Sequence, residues 1–354
     1  MWIYAALFVF PAAWVAAAGR SGNGRPGKAA VLVTALILAV LIGLRFRVGG
    51  DWHSYWLMLE RAHNLDWATA LTISDPAYMG LNIVAARLGF SIAFVNLACA
   101  VLAVAGTFAF ALRQNRPWLA LLAAVPVLLA VTAMTTTRQS AAIGLELLAL
   151  GWFLDGRRGL PIFALLLACA FHWSSAVLLP IVPLLLARPE NRARIGWGLV
   201  ALAFAAAAAV WLRAEPGIPA AGGLFRLLPS LIAAGAIVFL RRKAMLAEGA
   251  AAIAFYLAGL ALLCLAQLPV SSLNADRLGL YTIALQMLVL PRLPDMFAAP
   301  AMRRTAIASL VFLYGAMFAA WAMLSPYAGC MTPYRSYLQE PNRLIAREVP
   351  EPVC

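Results

Sequence analysis

Charge is what this sequence lacks. Only 12% of its 354 residues are Asp, Glu, Lys or Arg, and 64% are hydrophobic. A soluble domain carries about twice that share of charge, so a water-soluble globular fold is excluded. Acidic residues are the scarcer sign, 14 against 27 basic ones, and there are only three histidines. The cysteines (Cys99, Cys169, Cys264, Cys330, Cys354) have no metal-ligand spacing. Cys99, Cys169 and Cys264 fall in apolar runs, where a thiol packs as a small hydrophobe. Cys330 and Cys354 lie in a tail expected to meet oxidising conditions, and spacing alone does not pair them. There is no Gly-rich phosphate loop and no metal triad, so no nucleotide, metal or other cofactor is expected. The alternating pattern of membrane-barrel strands is missing too.

What fills the chain instead is a series of apolar runs from end to end. Backbone polar groups inside hydrocarbon need internal partners, and Ala- and Leu-rich runs supply them as helices. The expected fold is an all-α polytopic membrane protein of about ten to twelve transmembrane helices. After a first run at 2–18, spans are expected near 29–46, 80–112, 117–134, 138–154, 195–212, 224–240, 250–268, 277–290 and 303–324. Ala16-Ala17-Ala18 before Gly19 resembles a signal-peptide cleavage site. No basic residue precedes that run, however, which favours an uncleaved helix with its N-terminus outside. Residues 1–324 are expected as one helical domain and 325–354 as an outward-facing tail.

The stretch 160–187 does not fit the series. Its flanks, Arg157-Arg158 and Arg188 to Arg194, share one sign. Fully helical it rises about 42 Å, whereas two crossings of a roughly 30 Å core need more. A pair of short or half-crossing helices is expected, turning at Phe171-His172-Trp173-Ser174-Ser175. Broken helices of this kind usually line a protein cavity, here one open to the outside. The run 80–112 is too long for one perpendicular crossing and is expected to turn near Gly89. In the outer loop 48–79, Trp52 to Ala70 reads as an amphipathic helix lying on the interface.

The net charge of +13 is distributed as a topology signal. Arg20, Arg25 and Lys28, then Arg113 and Arg116, Arg157 and Arg158, Arg188, Arg192 and Arg194, Arg241 to Lys243, and Arg292, Arg303 and Arg304 occupy every second loop. That is the positive-inside pattern, so the excess charge points to membrane lipid rather than nucleic acid. The expected setting is a bacterial inner membrane with the active face outside.

Against that bias, several polar residues gather at the outer helix ends. Arg138, after Thr135-Thr136-Thr137, puts a cation at a helix start, where an anion suits the dipole better. It needs an anionic partner, and Glu146 deeper on the same face is one candidate. His172 at the hairpin turn is placed to take a proton from a hydroxyl. Asp51 is either a helix cap or a second base. Arg45, Arg47, Arg277 and Arg335 are candidates for holding a diphosphate through paired, charge-assisted hydrogen bonds. Tyr55, Tyr78, Asn82, Gln139 and Tyr281 suit sugar rings and hydroxyls. The catalytic set is therefore His172, Asp51 and Arg138, and the others are substrate-binding.

In order, these residues form motifs: Arg45-x-Arg47-x-Gly49-Gly50-Asp51-Trp52-x-x-Tyr55, Asp75-Pro76-x-Tyr78 with Asn82, and Arg138-Gln139-x-x-Ala142. His172-x-Ser174-Ser175-Ala176, Asp276-Arg277 with Tyr281, and Tyr334-Arg335 with Tyr337 follow. The series resembles the EpsG family of exopolysaccharide polymerases, a Wzy-like group, although that family more often has Glu-Pro at Asp75-Pro76. The resemblance implies polymerisation of oligosaccharide repeat units carried on undecaprenyl diphosphate, with carrier diphosphate leaving. Chain-length regulators and export proteins of a polysaccharide pathway are the implied partners. The rival readings are another lipid-linked sugar transferase or ligase, and a glycolipid transporter or flippase. A transporter should carry more polar residues at midplane than Glu146 and Gln286.

Overall fold

The computed structural model describes residues 2–21, 27–188, 223–269 and 272–339, with isolated positions between 190 and 202 and at 341. Most of the expected span 195–212, the loop after it, and the tail beyond 339 with Cys354 lie outside the described residues. Among the described residues the chain is helical, and its one strand-like feature is a bridge between Arg45 and Ser336. It is an all-α polytopic membrane protein.

The first two helices are α1 (Trp2–Ser21) and α2 (Lys28–Gly43). Three shorter ones follow: α3 (Trp52–Asn64), α4 (Trp67–Ile73) and α5 (Pro76–Arg87). Gly89, with φ of 72°, turns the chain into α6 (Ile92–Ala111), as its position in the long apolar run suggests. Helix α7 (Pro117–Thr135) begins on Pro117, whose missing N–H costs nothing at a helix start. It widens to π-type turns over Val125–Thr132, a segment that contains Pro126. Helix α8 (Thr137–Leu154) follows. After the 160–187 region come α11 (Gly223–Arg242), α12 (Glu248–Gln267), α13 (Ser272–Gly279), α14 (Ile283–Val289) and α15 (Pro300–Leu324). Four described helices, α6, α7, α12 and α15, are long and apolar enough to cross a membrane. Phe312, Met323 and Leu324 on α15, like Leu32 and Leu36 on α2, are exposed. Hydrocarbon rather than water suits such surfaces.

Helices α6 and α8 run side by side in the same direction. The Thr137 hydroxyl meets Asn96 Oδ1 at 3.5 Å near their starts, and Arg113 binds Asp155 at 2.5 Å just past their ends. Between these points the backbones touch. A Cβ added at Gly106 would strike the Gly144 carbonyl, and one at Gly144 would meet Ala103 Cα at 2.6 Å. Small residues allow this approach where lipid supplies no hydrophobic drive.

That alignment separates two ends. The Arg113–Asp155 end also holds the Arg116–Asp295 pair, Asn115 on Asp295 and Arg292 on Gln114 at 2.8 Å. Lys243 donates to the Met296 carbonyl at 2.8 Å. These loops, basic by sequence, thus gather at one end. The other end carries the start of α8, the outer-loop helices and the tail. The tail folds back on α2: Tyr337 N–H donates to Leu44, Phe46 N–H to Arg335, Gly49 N–H to Cys330, and Tyr334 to Leu41. Cys330 is disulfide-bonded.

Two expectations need correction. The stretch Trp52 to Ala70 is not one helix; it breaks at Leu65-Asp66, where Asp66 Oδ1 accepts from Thr69 N–H at 2.7 Å and starts α4. Nor does its apolar face lie only on lipid. Trp52, Tyr55, Leu59 and Ala62 are buried in a cluster with Tyr78, Met79 and Ile83 of α5. Mutual packing of two amphipathic faces wins over interfacial burial.

Candidate functional site

The 160–187 region forms a hairpin. Helix α9 (Gly159–Phe171) ends as His172 adopts an extended backbone, and the chain returns as a 3-10 segment, Trp173–Ile181, then α10 (Val182–Leu186). Thirteen residues of α9 rise about 20 Å. The turn therefore falls short of a full crossing, and it meets residues that descend from the far end.

Arg138 is the second residue of α8. Its Nη1 binds Asp75 Oδ2 at 2.6 Å and Ser74 Oγ at 2.5 Å. The guanidinium carbon lies 5.8 Å from the Tyr55 ring centre and 5.7 Å from that of Tyr78, and these rings pack edge-on at 5.6 Å. Such cation–π contact suits a charge that is partly dehydrated. Nε of Arg138 is buried and has no partner. Asp75, only 8% exposed, uses its second oxygen to accept the Trp173 backbone N–H at 3.0 Å. The partner of Arg138 is thus Asp75. Glu146 lies instead beside Ser175, with Oε1 unpaired and buried.

At the hairpin turn, His172 Nδ1 shares a 2.5 Å hydrogen bond with Ser174 Oγ, which meets the Tyr281 hydroxyl at 2.7 Å. Nδ1 is therefore engaged. Burial pushes the His172 imidazole below its ordinary range; Asp75 opposes that shift, while Arg138 and Arg277 add to it.

Arg277, exposed near the end of α13, is tied in through its backbone: Gln139 Nε2 donates to its carbonyl at 2.9 Å. Its sequence neighbour Asp276 pairs with Arg226 of α11 at 2.7 Å, not with Arg277. Asp51 precedes α3 without capping it, so its carboxylate is not spent on the helix. Asp51 is exposed, and Arg277 and Arg138 both act on it electrostatically.

Asp51, Arg138, His172, Arg277, Gln139, Tyr55, Tyr78 and Tyr281 are brought together in this way. Others on the expected list are not. Arg45 has 0% exposure; its guanidinium donates to the Ile42 carbonyl at 2.7 Å and Thr137 Oγ1 at 2.5 Å. It is a buried strut beneath the site and is not placed to touch substrate. Asn82 is fully buried and donates back to the Tyr78 carbonyl at 2.8 Å, holding the Tyr78 helix turn. Arg47, half-buried with φ of 51°, sits in the turn between α2 and α3, and Arg335 is exposed on the tail. Sequence reasoning missed Ser74 and Arg226, and it gave Ser174 no role beyond its place in the His172 motif. A serine near a helix start carries no signal of its own, and Arg226 is hidden in an apolar run.

Fold and cluster define a multi-pass membrane protein with a cationic polar site at the end of the bundle opposite its basic loops. The family model described as the EpsG family matches residues 28–210. The chain belongs to the EpsG family and is a polysaccharide-polymerase-like membrane protein. No curated protein and no solved structure matches it. The matched stretch contains Asp51, Asp75, Arg138 and His172; Arg277 and Tyr281 lie beyond it.

Proposed function

We propose that this protein polymerises exopolysaccharide from undecaprenyl-diphosphate-linked oligosaccharide repeat units at the outer face of a bacterial inner membrane. The observation that carries the reading is a cation beside an oriented histidine: Arg138 packs against Tyr55 and Tyr78 and is tied through Asp75 to the turn where Ser174 holds His172 Nδ1, and Arg138 and Arg277 both act on His172 and on Asp51. Two cations thus flank two groups able to take a proton.

Arg138 and Arg277 hold the carrier diphosphate and stabilise the charge that grows on it as the sugar departs. The acceptor sugar hydroxyl attacks the anomeric carbon. A C–O bond forms there, the bond from that carbon to the diphosphate oxygen breaks, and its electron pair leaves with the phosphate. The hydroxyl proton passes to His172 Nε2, while Ser174 and Tyr281 keep the ring oriented from the other side. The negative diphosphate favours the imidazolium, so the base strengthens as substrate binds. Asp51 is the second candidate base. Tyr55 and Tyr78 back the Arg138 guanidinium, and Gln139 fixes the Arg277 backbone. Lipid-linked repeat units are the substrate partner, with chain-length regulators and export proteins as pathway partners.

The test uses purified full-length protein in lipid with lipid-linked repeat units as the sole sugar source. A ladder of products with stoichiometric release of carrier diphosphate supports polymerisation. One product larger by a single unit means a ligase, and no diphosphate release rejects group transfer altogether.

A further inference from the structure

We infer that Asp75 is a positioning residue that fixes the anion-binding Arg138 and the His172 turn to one another. The inference rests on the polymerase reading for the roles of Arg138 and His172, and on independent geometry for Asp75.

The geometry starts with a cap that is not made. Asp75 stands immediately before α5, the position where an aspartate ordinarily accepts from its own helix's first N–H groups. Asp66 does so before α4, accepting from Thr69 N–H. Asp75 makes no such bond. Pro76 at the helix start removes one donor, but the second and third residues, Ala77 and Tyr78, still carry theirs. Both carboxylate oxygens are spent elsewhere: Oδ2 on Arg138 Nη1 and Oδ1 on Trp173 N–H. The two recipients belong to different elements, the start of α8 and the first residue after His172. Trp173 N–H is a backbone group, so a bond to it sets the chain path at the turn rather than one rotamer. Asp75 is buried, and buried charge-assisted bonds of this kind hold geometry firmly. Since His172 directly precedes Trp173, moving Asp75 moves the base relative to the arginine.

The roles of the two oxygens separate experimentally. Asp75→Ala removes both bonds. Asp75→Asn keeps an oxygen for Trp173 N–H but loses the negative charge beside Arg138 and His172. Asp66→Ala is the control, since it removes a cap that exists. Purified variants are compared for carrier diphosphate release per folded protein, across pH, with lipid-linked repeat units. Asp75→Ala is expected to lower kcat roughly 100-fold, the scale for displaced reacting groups. Asp75→Asn is expected to lose less. Its acidic limb should move to lower pH, because the imidazolium loses an anionic neighbour. Asp66→Ala should keep wild-type kcat and pH profile. Wild-type kcat and an unmoved limb in both Asp75 variants overturn the inference, even if their thermal stability falls. Should Asp75→Ala not fold, the limb of Asp75→Asn decides. Absence of diphosphate release by wild-type protein would instead reject the polymerase reading itself.

Discussion

Thr137 and Arg45 meet at 2.5 Å inside the bundle, and the next residue, Arg138, reaches the other way to Asp75. One helix start thus serves a sealed arginine on one side and an arginine tied to the outer loop on the other. Tyr55 and Tyr78 neighbour both guanidiniums. The two cations have opposite mutational signatures.

Arg45→Ala should damage folding rather than turnover. It leaves the buried Ile42 carbonyl and Thr137 hydroxyl without their donor, a loss of about 1–3 kcal/mol for each buried polar group stranded. The expected outcome is a lower melting temperature and less protein in the membrane, with near-normal activity per folded molecule. Normal thermal stability together with lost activity would return Arg45 to the substrate site.

Arg138→Ala should do the reverse. Folded protein should still reach the membrane, with a lower melting temperature because the buried Asp75 carboxylate loses its cation, but product formation per folded molecule falls by about 10²–10³-fold, the usual scale for removing a donor that stabilises developing charge. Lysine at the same place should recover little, since a point charge does not reproduce the guanidinium fork. Gel sizing of products per mole of folded protein reads both variants. Full activity in Arg138→Ala removes the residue from the site.

Acid should be tolerated further than an ordinary histidine base allows. With its imidazole held below the usual range, His172 stays neutral, and so able to accept a proton, as pH falls past about 6.5. The kcat/KM profile of wild-type protein should therefore remain flat from pH 8 to below that value, then drop. Loss centred at 6.5 would mean that burial does not govern the base. His172→Gln should cost about 10²–10⁴-fold in rate and abolish the acidic limb; an unchanged limb would shift the role of base to Asp51.

Gly144→Val should loosen the bundle between its two ends. The added Cβ meets Ala103 Cα and the Leu102 carbonyl, both parts of a helix that cannot rotate away. Overpacking of this kind costs about 1–3 kcal/mol. Because α6 and α8 link the two ends, thermal stability in detergent and activity should fall together. Unaltered stability would show that the two helices separate easily.

Span order was legible from composition, because the penalty for exposing backbone polar groups to hydrocarbon acts on every segment separately. The same holds for the turn at Gly89, the incomplete crossing at 160–187 and the loops that carry arginine. Each follows from a length, a charge or a single residue read in place. Arg138 and His172 stood out because a cation at a helix start and a histidine at a membrane turn are locally anomalous.

Partnership was decided by the tertiary structure alone. Along the chain Glu146, on the same helix, is the candidate anion for Arg138, and only the arrival of the outer loop at the start of α8 selects Asp75. Arg45 and Arg47 look alike in sequence, yet one is sealed and the other sits in a turn, because the direction of a side chain at a helix end depends on what packs there. Asp66 and Asp75 both precede helices, and only packing against the hairpin turns the second from a cap into a link. Pairing energies depend on distances between segments far apart in the chain, which no local pattern of residues encodes.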